Sequence, residues 1–213
     1  HESGGNPTYE SLRNLAFEAA SMITATAKLL RDRNISVEHV SVGASTTFRA
    51  TCRFIKEKMF TEITEIHPGH CIIGDMWHVT GLGNVREACA ATVLATVVST
   101  PDPRYVIIDA GYKTLGCDAL IQYRNMPGFF WQGLPSYGSV QGRSDLWLGR
   151  LSAETGCIFY KKPDLTPHNK LKVGTRVQII PNNATLVINM QRQIFEVRDG
   201  VVERAFLVGK KRI

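Results

Sequence analysis

The stretch that decides the fold reads Glu38-His39-Val40-Ser41-Val42-Gly43-Ala44-Ser45-Thr46-Thr47. Valine favours a pleated, half-buried position, so the first half predicts a strand over residues 37–42. Glycine then permits a tight turn, which leaves backbone N–H groups and three hydroxyls able to bond an anion. Taken alone, the stretch predicts either a phosphate-binding turn or an ordinary Ser/Thr turn after a strand.

A long helix is predicted directly before this strand. Apolar residues recur there at spacings of three and four, namely Leu12, Leu15, Ala16, Ala19, Ile23, Ala27 and Leu30. They fall on one helical face, which predicts a helix over residues 7–33 that starts at Asn6-Pro7 and closes at Asn34. A helix that leads into a strand is the unit from which parallel sheets and barrels are built.

Beyond residue 48 the pattern changes to short strands separated by turns. A short helix is expected within residues 48–60, and strands are expected at 90–99, 105–110, 120–121, 156–160, 176–180, 186–189, 194–198 and 201–208. Asp199-Gly200, between the last two, is a strong hairpin signal. The sequence therefore predicts an α/β domain over residues 1–48 and a β-rich domain over residues 49–213.

Composition and charge narrow the possible classes of protein. The 213 residues are 44% hydrophobic, which is enough for a real core, and they carry a net charge of +6. Lys and Arg are spread along the chain except at Lys210-Lys211-Arg212, which is more typical of a solvated surface than of a nucleic-acid interface. Five cysteines without a CxxC pair predict free thiols in a cytoplasmic protein. No apolar window predicts a membrane-spanning helix.

Several short motifs, taken in order, resemble one enzyme family. They are His1…Gly5-Asn6…Tyr9, the stretch 40–47, Glu65-Ile66-His67-Pro68-Gly69, residues 93–99, Ile108-Asp109-Ala110-Gly111-Tyr112-Lys113-Thr114-Leu115, and residues 173–189 with Pro181-Asn182-Asn183-Ala184-Thr185. Together they cover nearly the whole chain and resemble the D-threonine aldolase and D-serine dehydratase family. The resemblance implies a fold-type III, alanine-racemase-like architecture, in which a (β/α) barrel that holds pyridoxal phosphate precedes a β-rich, barrel-like domain.

The resemblance also implies roles for individual residues. The cofactor phosphate is expected on Gly43, Ala44, Ser45 and Thr46. His1 and Tyr9 are expected to face the pyridoxal ring or the substrate, although His1 is equally well interpreted as a frayed terminal residue. Lys113 matches a position in the β domain of the family, so it is expected to be a solvated or structural lysine.

Only the C-terminal part of the family has a counterpart in this sequence. The lysine that holds the cofactor lies on an early barrel strand of the family, upstream of any matching residue here. We therefore expect further sequence or a companion chain to complete the barrel. The family commonly pairs two subunits, which makes a homodimer the expected assembly.

One feature of the family is altered in this chain. The family carries a histidine two residues before a cysteine or aspartate in the segment matching 181–185, and this pair binds a divalent ion. Here the two positions hold Asn183 and Thr185, which supply neither an imidazole nor an anionic ligand. The sequence thus predicts no tightly held transition metal. Four other candidate ligands have no recognisable metal-site spacing and are interpreted as structural or surface residues: His67, His70, Cys71 and His78.

The function implied by the resemblance is that of a pyridoxal-phosphate-dependent lyase. Its substrates would be D-amino acids or β-hydroxy-D-amino acids, cleaved by a retro-aldol reaction or by β-elimination. A racemase-type activity and a non-catalytic module that binds the cofactor, an anion or a partner remain alternatives. Phe129-Phe130-Trp131, near Arg124 and Arg143, suggests a stacking surface for nucleic acid, but such aromatic residues are more often packed in a loop, and no nucleic-acid partner is expected.

Overall fold

The computed structural model describes residues 8–82, 86–119, 129–162 and 170–209. They divide into two compact units, with the division between Ile72 and Ile73. The first unit contains α1 (Tyr9–Arg31), β1 (Ser41–Val42), α2 (Phe48–Lys56), β2 (Glu65–Ile66) and a 3₁₀ turn at His70–Ile72. The boundary expected near residue 48 falls inside this unit, because α2 packs against α1 and β2 pairs with β1.

Helix α1 has the apolar face that its sequence predicts. Thr8 caps it, with Oγ1 accepting a hydrogen bond from the Ser11 N–H at 3.1 Å. The predicted start at Asn6-Pro7 lies outside the described residues. Asn34 follows the helix with a φ of 61°, so the predicted left-handed end is confirmed. The buried face consists of Leu12, Ala16, Ala20 and Ala27.

Strands β1 and β2 pair in parallel, with Val42 opposite Ile66. Parallel neighbours need a crossover connection, and α2 supplies it. Phe54 of α2 packs edge-on against Phe17 and Phe60, with ring centroids 5.8 Å and 5.9 Å away. The predicted α/β part is confirmed, and it places residues 43–47 between the end of β1 and the start of α2.

The second unit is dominated by antiparallel strands. Its strands are β3 (Val93–Asp102), β4 (Tyr105–Ile108), β5 (Phe130–Trp131), β6 (Leu134–Pro135), β7 (Gly138–Val140), β8 (Leu146–Leu151), β9 (Gly156–Tyr160), β10 (Arg176–Pro181), β11 (Gln193–Arg198) and β12 (Val201–Leu207). Its helices are α3 (Met76–Leu82), α4 (Tyr112–Leu115) and α5 (Ala184–Met190), with a 3₁₀ turn at Arg86–Ala88. Six strands form one sheet in the order β7-β10-β3-β4-β9-β8.

This sheet is nearly closed into a barrel. The N–H of Tyr137, directly before β7, donates to the Leu148 carbonyl of β8 at 3.0 Å, which links the two edge strands. Side chains alternate along β3, so that Val93, Ala95 and Val97 fill the interior while Leu94 and Val98 face outward. The β-rich second part predicted by the sequence is thus confirmed.

The local predictions for this unit had mixed outcomes. The hairpin at Asp199-Gly200 is confirmed, since both residues have positive φ values of 50° and 78° and join β11 to β12. The strand predicted at 186–189 is wrong, because these residues belong to α5, which Asn183 caps through its side chain. The strand predicted at 120–121 lies outside the described residues. The sequence patterns did not reveal α3 or β5 to β8.

All five cysteines are free thiols. The described helices include none that combines the length and the apolar character needed to cross a bilayer, and this holds for the 23-residue α1 as well.

Candidate functional site

The turn between β1 and α2 depends on close backbone packing. A Cβ at Gly43 would lie 2.9 Å from the His67 carbonyl oxygen, closer than real Cβ atoms come, so this position requires glycine. Ser45 Oγ accepts a hydrogen bond from the Gly69 N–H at 3.2 Å. A hydroxyl that accepts in this way still has its own proton to donate. Glycine and serine therefore each have a defined structural position in the turn.

Helix α2 starts at this turn without a side-chain cap. Thr47 occupies the N-cap position but makes no capping hydrogen bond with its side chain among the described residues. The first N–H groups of a helix have no partner within the helix, and the helix dipole makes that end attractive to anions. The N–H groups of Thr47 and Phe48 already donate to the Ala44 carbonyl at 3.3 Å and 3.1 Å, so the candidate donors to a phosphate are the hydroxyls of Ser45 and Thr46 and the N–H groups of α2 that follow Phe48.

A cavity of about 340 Å³ lies beside the turn. Gly43, Ala44 and Thr47 line one part of it, and Met22 and Ile23 of α1 line another. Its volume falls in the range of small-molecule sites, and its lining combines apolar side chains with turn backbone, as such sites commonly do.

Glu65 of β2 lies close to the same turn, between two histidines. Its Oε1 is 2.8 Å from His39 Nδ1, and its Oε2 is 3.0 Å from His67 Nε2. The hydrogen bond from His67 holds the pKa of the Glu65 carboxyl below its ordinary value, and His39 acts in the same direction. Partial desolvation of the carboxylate opposes both effects.

Tyr9 is the first residue of α1 and is about half exposed. Its hydroxyl oxygen accepts a hydrogen bond from the Arg53 guanidinium of α2 at 3.3 Å. His1 lies outside the described residues. Contact of either residue with the cofactor ring therefore stays a prediction.

A second polar group is buried in the other unit, at the start of α3. Asp75 and His78 are almost completely buried, and the Asp75 carboxylate accepts hydrogen bonds from His78 Nδ1 at 2.7 Å and from the His78 N–H at 3.2 Å. Its other oxygen accepts from the Ala184 N–H at 3.2 Å. The carboxylate thus joins the start of α3 to the start of α5.

Asn183, the N-cap of α5, contributes a further set of hydrogen bonds. Its Oδ1 accepts from the Leu186 N–H at 3.0 Å and from the Thr185 hydroxyl at 2.9 Å. Its Nδ2 donates to the Asp118 carboxylate at 3.1 Å. The preceding Asn182 is buried and donates to the carbonyls of Asp118 and Ser136. We call Asp75, His78, Asp118, Asn182, Asn183 and Thr185 the polar cluster.

Two other predicted interpretations are confirmed. Lys113 is exposed and forms an ion pair with Glu154. Phe129 is fully buried and packs with Trp77 and Phe130, as a packed loop requires.

Comparison with known proteins identifies the family. The family model described as "Putative serine dehydratase domain" matches residues 90–197, just over half of the chain. The chain belongs to this family. Within the serine dehydratase domain family, D-serine dehydratase from Dictyostelium discoideum is 28% identical over 188 residues, which are 86% of this chain and 45% of that protein. D-threonine aldolase from Arthrobacter sp is 26% identical over 200 residues, 92% of this chain and 45% of that protein.

The chain spans about half the length of these curated relatives. Solved structures support the fold over nearly all of the chain. D-threo-3-hydroxyaspartate dehydratase from Delftia sp. HT23 superposes with a TM-score of 0.79 at 24% identity, covering 95% of this chain and 52% of that one. D-threonine aldolase from Filomicrobium marinum superposes with a TM-score of 0.68 at 21% identity, covering 92% of this chain and 47% of that one. The fold is therefore the alanine-racemase-like one implied by the sequence.

The resemblance implies a cofactor phosphate and a divalent ion, and the residues of this chain suit the first better than the second. The turn at 43–47 offers a phosphate the hydroxyls of Ser45 and Thr46 and the start of α2, while Gly43 makes room for the His67 backbone beside it. The residues at 183 and 185 do not suit a transition metal, because both are uncharged and the carboxamide oxygen already accepts two hydrogen bonds.

Three members of the polar cluster were assigned no role as site residues from the sequence: Asp75, Asp118 and Asn182. A local signal existed only for Asp75, which precedes His78 by three residues, the spacing of a helix N-cap. His78 was interpreted as structural or surface, and it is buried. Asp118 and Asn182 are 64 positions apart, so no sequence pattern relates them.

Proposed function

We propose that the chain is the C-terminal part of a pyridoxal-phosphate-dependent lyase that acts on D-amino acids or β-hydroxy-D-amino acids. The observation that carries this proposal is the turn at 43–47, where a glycine with no room for a side chain stands before an uncapped helix. The names of the relatives, D-serine dehydratase and D-threonine aldolase, support the same class of substrate.

In this proposal the residues of the turn bind the cofactor phosphate. Ser45 and Thr46 donate from their hydroxyls, and the backbone at Gly43 and Ala44 lets the phosphate approach closely. Hydrogen bonds of this kind to a charged oxygen are short and strong. Tyr9 and His1 are the residues proposed to face the ring or the substrate. When bound, pyridoxal phosphate supplies an electron sink for the bonds around the substrate Cα.

The donor set at 183 and 185 favours particular reactions within this class. Departure of hydroxide from the substrate is aided by a bound divalent ion, and Asn183 and Thr185 are poor ligands for one. We therefore favour retro-aldol cleavage, racemisation, or elimination of a better leaving group over dehydration of D-serine.

The proposal also concerns the parts that this chain does not supply. Further sequence or a companion chain would provide the cofactor-binding lysine, and two subunits would pair in a cytoplasmic homodimer. The unpaired state of the five cysteines is consistent with that compartment.

Phosphate binding can be tested with pyridoxamine 5′-phosphate, which cannot react covalently with lysines. We expect Ser45→Ala to weaken its binding roughly tenfold or more, because a hydrogen bond to a charged group is lost. Ser36→Ala, an exposed serine of the same unit, is the control and should bind like the original chain. The measurement is a calorimetric titration. Equal affinity in Ser45→Ala and Ser36→Ala would remove the basis for the turn as the phosphate site.

Turnover distinguishes the enzyme from a non-catalytic module. The chain joined to its upstream barrel segment should convert D-threonine or another β-hydroxy-D-amino acid. Binding of the phosphate compound without any turnover in that complete protein would favour the module.

A further inference from the structure

We propose that hydrogen bonds of the polar cluster stand in place of the family's metal ion at positions 183 and 185, so that the start of α5 is held without a metal ion on these two residues. This inference concerns the construction of the unit and holds whether or not the proposed reaction is correct.

Asn183 already uses its side-chain hydrogen-bonding groups. An amide oxygen has two acceptor positions, and here the Leu186 N–H and the Thr185 hydroxyl fill both. The amide nitrogen donates to Asp118. A metal ion could therefore bind the Asn183 oxygen only if it displaced the Leu186 N–H, which the oxygen caps, or the Thr185 hydroxyl.

The side chains of Thr185 and Asn183, at the two former metal-ligand positions, bond to each other. Thr185 Oγ1 lies 2.9 Å from Asn183 Oδ1, a normal hydrogen-bond distance. In a metal centre, an ion between the two side chains would connect them. Here a hydrogen bond from the Thr185 hydroxyl to Asn183 Oδ1 joins the two side chains, and both are uncharged.

The backbone between Asn183 and Thr185 also has a side-chain partner. The Ala184 N–H donates to the buried Asp75 carboxylate, which also accepts from His78. The Asp118 carboxylate accepts from Asn183. A buried or partly buried carboxylate is tolerated when hydrogen bonds satisfy its oxygens. Ala184, His78 and Asn183 supply such bonds here, so the carboxylates are stabilised by hydrogen-bond donors in place of a cation.

Metal content is the first test. The purified chain is loaded with Zn²⁺, dialysed extensively and measured by elemental analysis, beside the double variant Asn183→His with Thr185→Cys. We expect the double variant to keep one equivalent of zinc more than the original chain, with affinity at positions 183 and 185 raised roughly a thousandfold or more, because an imidazole and a thiolate replace two neutral oxygens. Stoichiometric zinc in the original chain that Asn183→Ala removes would overturn the proposal. A chelator should leave the unfolding temperature of the original chain unchanged.

An exchange of partners is the second test. Asn183→Asp keeps a good helix cap but places a carboxylate against Asp118, so we expect the unfolding temperature to fall by roughly 5 °C. Combining it with Asp118→Asn restores a donor and an acceptor with their positions exchanged, and should recover most of that loss. Asp109→Asn, a carboxylate outside the polar cluster, is the control combination and should recover none of it. Failure of the exchanged pair to recover stability would overturn the role of the Asn183–Asp118 bond.

Discussion

The turn at 43–47 and the polar cluster are built on opposite principles. In the turn, backbone groups and short hydroxyls lie at a helix start where, among the described residues, Thr47 makes no side-chain capping hydrogen bond, and Ser45 Oγ accepts from the Gly69 N–H. In the polar cluster, three of the hydrogen bonds join one side chain directly to another: His78 to Asp75, Asn183 to Asp118 and Thr185 to Asn183. The resemblance places cofactor phosphate at the first and a metal at the second.

The two places also differ in how strictly they depend on the type of residue. An anion site made largely of backbone N–H groups tolerates many side chains, provided that glycine keeps the close approach. A metal site depends on a few ligands of defined chemistry, so two substitutions remove it. The same substitutions leave polar groups that must find other partners, and Asn183 finds them in Asp118, Thr185 and Leu186.

The largest expected effect on stability is in the polar cluster. Asp75→Ala removes the acceptor for His78 and for the start of α5, and breaking a buried pair in this way should lower the free energy of unfolding by about 3–5 kcal/mol. Urea denaturation measures it.

Asp32→Asn is the matched control for this prediction. Asp32 pairs with Lys28 on the surface of α1, and exposed pairs of this kind contribute little to stability. If Asp75→Ala costs no more than Asp32→Asn, the polar cluster does not support the fold in the way described.

A smaller effect is expected at the turn. Gly43→Ala pushes a methyl group against the His67 carbonyl oxygen at 2.9 Å, and overpacking of this kind costs about 1–3 kcal/mol. The same variant should bind pyridoxamine 5′-phosphate more weakly, because the turn has to shift.

Gly69→Ala tests whether the effect is specific to position 43. A Cβ at Gly69 would meet no atom within 4 Å, so this change should leave stability within about 0.5 kcal/mol. Equal losses for Gly43→Ala and Gly69→Ala in thermal unfolding would contradict the close-approach argument.

The smallest effect is expected from the ion pairs beside the turn. The pKa of Glu65 is lower in the folded chain than its ordinary value, so its stabilisation is present above the unfolded pKa of about 4.5 and is lost as the pH falls through the folded value. Glu65→Gln should therefore unfold at a lower temperature than the original chain at pH 6. The difference should shrink steadily as the pH is lowered towards 3, and a difference independent of pH would refute the assignment.

The sequence was most informative where structure depends on neighbouring residues. The periodic apolar face of α1, the left-handed Asn34 and the Asp199-Gly200 hairpin all follow from local patterns, and the structure confirms them. The strand predicted at 186–189 is wrong for a related reason. Its apolar, β-branched residues favour a strand locally, but the cap at Asn183 and the burial of Val187 stabilise a helix.

By itself, the sequence determined the α/β followed by β-rich order, the family, the glycine and hydroxyls of the turn, and the loss of the metal-binding residue types. These features depend on residue identity and spacing, which can be read from the sequence without knowledge of the fold. Only the tertiary structure decided that Asp75, Asp118 and Asn183 come together, since 65 positions separate Asp118 from Asn183 and 109 separate Asp75 from Ala184. A buried polar group takes whichever partner the fold brings within about 3 Å, and the packing of the whole unit sets that distance.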